Sequence, residues 1–108
     1  MKQDMLNELF TLQEELQRKL HTDVRSQEFY TIMTIALIDE LMESLRETPW
    51  KPWKKQQKLN RERLQQELID AWHFMINLSI AAGLSSKKVH KAFIYKNKIN
   101  IKRHQNEY

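Results

Sequence analysis

Cysteine is absent from these 108 residues, which excludes disulfides, thiolate metal ligands and a cysteine nucleophile. A single glycine and two prolines leave no room for a Walker loop or a GxGxxG turn, and little to interrupt helices. No apolar run approaches the ~20 residues of a membrane span, and the opening MKQDMLNELF is too polar to read as a signal peptide. Redox chemistry does not constrain the compartment, and the cytoplasm is the expected setting. No Cys or His partners stand at zinc spacing around His73. Internal repeats, low-complexity tracts and linkers are also missing, so residues 1–108 read as one domain.

What is present is rich in Glu, Gln, Lys and Leu, an all-helical composition. Four helices are expected. The first runs from about Gln3 to Leu20, with Leu6, Leu9, Phe10, Leu16 and Leu20 at helical spacing. Gln13 occupies a slot in that apolar seam, either at its edge or turned inward to a hydrogen-bond partner. The second spans roughly Ser26 to Glu47, with Ser26 as N-cap. One of its faces carries Phe29, Ile32, Met33 and Ala36, then Glu40 and Glu43. The other carries Ile38, Leu41, Met42 and Leu45. A helix apolar on both sides needs cover on both sides, which in so short a chain points to a homo-oligomer, most simply a two-fold dimer. The third helix runs from about Asn60 to Ala82, with Glu67, Asp70, Ala71, Phe74, Leu78 and Ala81 inward. Gly83 stops it, and Ser85 or Ser86 caps the fourth.

Two acid pairs, Glu40-x-x-Glu43 and Glu67-x-x-Asp70, interrupt these apolar stripes. Residues three apart share a helix face. In an antiparallel hairpin the pairs reach the same level, because each lies a comparable distance from the connection. Either pair alone is an ordinary solvated feature. Four converging carboxylates would repel one another and lose hydration unless a cation joined them. Oxygen donors of this kind suit Mg²⁺. Asp39 neighbours the cluster but points off the stripe.

Two basic segments accompany the acids. Trp50-Lys51-Pro52-Trp53-Lys54-Lys55 sits in the connection, either closing the bundle end or forming a flap over a nucleotide's phosphates or base. Lys96, Asn100 and Arg103 recur at i, i+4 and i+7 on the last helix. That stripe is either a solvated face or a clamp for polyphosphate. The net charge of +4 is concentrated between Lys87 and Arg103 and suits phosphate ligands as well as nucleic acid.

Together these segments resemble the dimeric all-α dUTPases of the MazG-like nucleoside triphosphate pyrophosphatase superfamily. ELMESLRETPWKPWKK is similar to the family's first acidic motif with its W-K-x-W-K segment. ELIDAWHF is similar to the second acidic motif, and the K-N-x-x-N-I-x-R pattern near the end to the terminal block. The resemblance implies a four-helix MazG-like bundle, assembled as a homo-oligomer, that hydrolyses dUTP to dUMP and pyrophosphate. It implies Mg²⁺ ions, two or more, on Glu40, Glu43, Glu67 and Asp70, with Glu40 or Glu43 accepting the proton of the attacking water. Lys96 and Arg103 would hold phosphates, Asn97 and Asn100 would order the site or contact the nucleotide, and Gln13 would lie near the nucleotide pocket. Trp50, Lys51, Trp53 and Lys54 would wall the site, and Tyr108 coincides with a family tyrosine. The chain departs from the family in passing almost directly from the second acidic motif to the terminal block, where typical members insert helices. Glu107 replaces a usual glycine, and His104-Gln105 changes the order after the arginine. The missing insertion leaves the base less enclosed and leaves a partner subunit to complete each pocket. dUDP is a further candidate substrate. Neither a membrane nor a stable nucleic-acid complex is expected. The rivals are a broader house-cleaning pyrophosphatase of the same superfamily and a non-enzymatic helical module binding nucleic acid or protein through the basic last helix.

Overall fold

The computed structural model describes residues 4–107, in four helices: α1 (Met5–Lys19), α2 (Gln27–Arg46), α3 (Arg61–Ala81) and α4 (Ser86–Glu107). Gln3, the expected first helical residue, and Tyr108 lie outside the described residues. No strand occurs among those described. The all-helical expectation holds.

Side-chain chemistry places the boundaries. Asp4, Ser26 and Asn60 each take extended backbone and accept from the amide three residues on, capping α1, α2 and α3. The Ser85 hydroxyl accepts from the Lys88 amide at 3.2 Å, so Ser85 caps α4. Ser86 is buried instead and donates to Asn7 Oδ1 at 3.0 Å, tying α4 to α1.

The packed unit is an antiparallel α2–α3 hairpin with α1 laid across α3, while α4 packs against α1. The axis turns by 99° between α3 and α4. That turn carries α4 away from the hairpin. The radius of gyration is 17.4 Å, against about 13 Å for a compact chain of this length.

Phe10, Phe29, Ala71, Ile76 and Leu78 form the small apolar core, and no described large side chain is completely enclosed. The α1 face departs from the sequence expectation. Leu9, Leu16 and Leu20 are exposed, whereas Phe10, Gln13 and Gln17 are buried. A helix apolar on several sides offers periodicity two choices of inward face, and the contact with α3 selects the one carrying the glutamines. The outer α2 face (Ile38, Leu41, Met42 and Leu45) is exposed, as are Trp72 on α3 and Phe93 on α4. No single described helix is long and apolar enough to cross a membrane.

Helices α1 and α3 end in the same way. After α3, Gly83 adopts φ +85; its amide donates to Ile80 O at 3.0 Å and the Leu84 amide to Ser79 O at 2.9 Å. After α1, His21 takes the equivalent place at φ 54, with its amide on Arg18 O at 3.1 Å and the Thr22 amide on Gln17 O at 3.0 Å. Both are Schellman turns. Glycine enters the left-handed region freely, while a β-carbon is penalised there. A β-carbon on Gly83 would meet nothing within 4 Å, so its cost is conformational alone. Gly83→Ala is therefore expected to lower stability by about 1 kcal/mol and His21→Gly to raise it by about 1 kcal/mol, read from urea unfolding midpoints. Changes of the opposite sign would contradict both turn assignments.

Candidate active site

The acid pairs project from facing turns of the α2–α3 hairpin. Glu40, Glu67 and Asp70 each bring one carboxylate oxygen within 4.8 Å of the other two. Glu43, one turn further along α2, hydrogen-bonds to Glu67 and Glu40. The level-matching inferred from helical rise is therefore what the hairpin produces. Asp39 is exposed and acts on Glu43 only through its charge.

Crowding like charges has an electrostatic consequence. Burial first, then a hydrogen bond to Glu67 and the charges of Glu43, Asp70 and Glu67, push the Glu40 carboxyl up to about 7. Hydrogen bonding to Glu67, then burial and the charges of Glu67 and Asp39, raise Glu43 above the usual carboxylate range; its hydrogen bond to Glu40 acts the other way. Oε2 of Glu40 is buried with no hydrogen-bond partner. A set of hard oxygen donors with one orphaned oxygen fits a divalent cation such as Mg²⁺. Removing one acid's charge by protonation also relieves the strain.

Glu40 and Asp70 line an open cavity of about 830 Å³ between α1, α2 and α3. Its remaining wall combines apolar and aromatic groups (Phe29, Met33 and Phe74) with amides (Gln13 and Asn77) and His73. Gln13 is 5% exposed, and its Nε2 lies 2.6 Å from His73 Nδ1. The inward alternative for Gln13 is thus realised. His73, set aside as a metal ligand from sequence, contributes to this wall. Asn77 was not singled out from sequence. Its signal was a polar residue seven after Asp70 on the inward stripe, the same kind of intrusion that marked Gln13.

The basic segments form separate features. Residues 47–60 make a closed loop at the hairpin tip, where the Asn60 amide donates to Glu47 O at 3.0 Å. The rings of Trp50 and Trp53 meet edge to face at 5.7 Å, and Lys51 Nζ stands 5.6 Å from the Trp50 ring centre. Gln57 holds the loop: Oε1 accepts from the Lys51 amide at 3.0 Å, and Nε2 donates to Lys54 O at 3.0 Å and also to Lys51 O. Trp50, Lys51 and Lys54 join Arg46 and Lys58 around a cavity of about 270 Å³, distinct from the acid-bearing one. Trp53 is exposed. Lys96, Asn97 and Asn100 line a third cavity of about 320 Å³ with Met75 and Phe93. Arg103 is exposed further along α4. Within one chain, none of these four reaches the cavity of Glu40 and Asp70.

A family model described as dUTPase matches residues 5–88. Among curated proteins, the dCTP pyrophosphatase of Enterobacteria phage LZ5 is 34% identical over 55% of this chain and 41% of the relative. The dCTP pyrophosphatase of Enterobacteria phage T4 is 28% identical over 55% of this chain and 42% of the relative. The chain thus spans less than half the length of these relatives. No solved structure matches at the same stringency.

A group with its pKa raised from 4.5 to about 7 keeps a proton in the folded chain that the unfolded chain has released between those pH values. The stability it contributes is full below pH 4.5 and is lost as pH rises through about 7. In EDTA, the thermal midpoint is expected to fall between pH 5 and pH 8, and Glu40→Gln to flatten that fall. The same slope in the variant would show that Glu40 does not titrate in a crowded cluster.

Proposed function

The chain belongs to the all-α dUTPase family of the MazG-like superfamily, and from that premise we propose that it hydrolyses a pyrimidine deoxynucleoside triphosphate to the monophosphate and pyrophosphate. dUTP is the first substrate, as the family match suggests. dCTP is the second, favoured by the names of the two phage relatives. The observation that carries the reading is the convergence of Glu40, Glu67 and Asp70 within 4.8 Å at the wall of a cavity of about 830 Å³, a volume in the range of small-molecule sites.

Glu40, Glu67 and Asp70, with Glu43 beside them, would hold Mg²⁺. When bound, the ion supplies polarisation of phosphate oxygens and acidification of water. Glu40 is the proton acceptor we favour, since it lines the cavity and its Oε2 has no hydrogen-bond partner. Glu43 is the alternative acceptor. The water oxygen bonds to phosphorus as the anhydride oxygen between the α- and β-phosphates leaves with pyrophosphate. The four cationic side chains of the hairpin tip, Arg46, Lys51, Lys54 and Lys58, lie just beyond the Glu43 end of α2 and would draw in the polyphosphate. Gln13, fixed on His73, would face the nucleoside.

Self-association completes the proposal. The exposed apolar faces of α2, α3 and α4 and the extended shape favour a homo-oligomer, the simplest being a dimer. In such an assembly Lys96, Asn97, Asn100 and Arg103 of one copy would serve the acidic site of another. There the lysine and arginine would stabilise charge on the leaving group, and the asparagines would order the nucleotide.

Glu40→Ala and Asp70→Ala are each expected to reduce Mg²⁺-dependent pyrophosphate release from dUTP and dCTP at least about 10³-fold, with far-UV circular dichroism unchanged. Normal turnover by either folded variant would refute the assignment, and equal rates on purine triphosphates would favour the broad house-cleaning rival. Glu40→Ala and Arg103→Ala, each inactive alone, are expected to regain partial activity when co-expressed, because a mixed oligomer holds one intact site. No recovery in mixed oligomers would place Arg103 outside the partner's site.

A further inference from the structure

Asn77 lies seven residues after Asp70 on α3, and Met33 lies seven before Glu40 on α2. At ~1.5 Å per residue their shared level is about 10 Å from the acids. A nucleoside spans a comparable length from its 5′-phosphate to the edge of its base. Asn77 lines the same cavity as Glu40 and Asp70, yet it is only 4% exposed.

Its carboxamide is poorly satisfied. Nδ2 donates to the Met33 sulfur at 3.5 Å, and a thioether is a weak acceptor. Oδ1 is buried at the cavity wall with no hydrogen-bond partner. Buried amides are costly in that state and are ordinarily completed by another group. Between this amide and the acids the cavity wall carries the ring of Phe74, about one turn from each along α3, a flat apolar face suited to a planar base.

Building on the proposed hydrolysis, we propose that Asn77 is the base-reading residue and that it accepts both pyrimidines. A carboxamide offers a donor and an acceptor side by side. Towards uracil, Nδ2 donates to O4 while Oδ1 accepts from N3–H. Turning the amide over about its Cβ–Cγ bond lets Nδ2 donate to N3 of cytosine while Oδ1 accepts from the 4-amino group. The sulfur of Met33 holds the amide too weakly to enforce one orientation. Uracil and cytosine are therefore both read, by two settings of one side chain.

The test compares kcat/KM of the wild type, Asn77→Leu and Asn77→Ser on dUTP, dCTP and 2-deoxyribose 5-triphosphate, which has no base. Each hydrogen bond to the base contributes roughly tenfold. Both variants are expected to lose about 10²-fold on each nucleotide and to act on the baseless triphosphate as the wild type does. The wild type is expected to handle dUTP and dCTP within about tenfold of each other. If Asn77→Leu does not fold, the smaller and still polar Asn77→Ser carries the comparison. Equal losses on all three substrates would make Asn77 a packing residue, and no loss on either nucleotide would remove it from the base site; both overturn the proposal. A wild type inert towards all three with Mg²⁺ would instead overturn the hydrolytic function on which it rests.

Discussion

Mutual repulsion among carboxylates across the α2–α3 hairpin is the constraint around which the molecule is organised. Three of them place oxygens within 4.8 Å of one another, and a fourth hydrogen-bonds to two of the others. Such a cluster works against folding unless its charge is neutralised by protons or by a cation. The rest of the chain supplies what is needed to hold it. Capped helices fix the level of each pair, a side-chain-braced loop joins them, and a small core of Phe29, Ala71, Ile76 and Leu78 clamps the hairpin below.

The cavity follows from the same arrangement. The acids stand at one level, Asn77 lies about two turns along α3 from them, and the ring of Phe74 lies between. This polarity matches the anatomy of a nucleotide: charged at the phosphates, flat in the base, and hydrogen-bonding at the base edge. In the proposed reaction the basic groups divide between two places. Lysines of the tip loop lie on the hairpin itself, whereas those of α4 are carried away by the 99° turn and, in the proposed assembly, would serve the site of another copy.

Much of this was legible in the residues. Ser26, Asn60 and Gly83 mark helix ends through capping chemistry, and the structure places the boundaries beside them. The convergence of the acids follows from three-residue spacing and helical rise. The phase of α1 was not legible, because its leucines and its glutamines each form a helical stripe and only the surface of α3 chooses between them. His21 gave no signal, since nothing local announces that a histidine will take a glycine's conformation. The course of α4 depends on backbone angles at Gly83 and on the contact between Ser86 and Asn7, neither of which a repeat of Lys, Asn and Arg can reveal. Asn77 was readable in principle as a polar intruder in an apolar seam.

Gln57 has one more implication. Its single carboxamide engages the backbone of both Lys51 and Lys54 and thereby gives the tryptophan-bearing segment a defined shape before any ligand arrives. A strand of chain already ordered gives up little conformational freedom on binding. The anion capture proposed for the hairpin tip would thus be prearranged by a neutral side chain that itself carries no charge to offer.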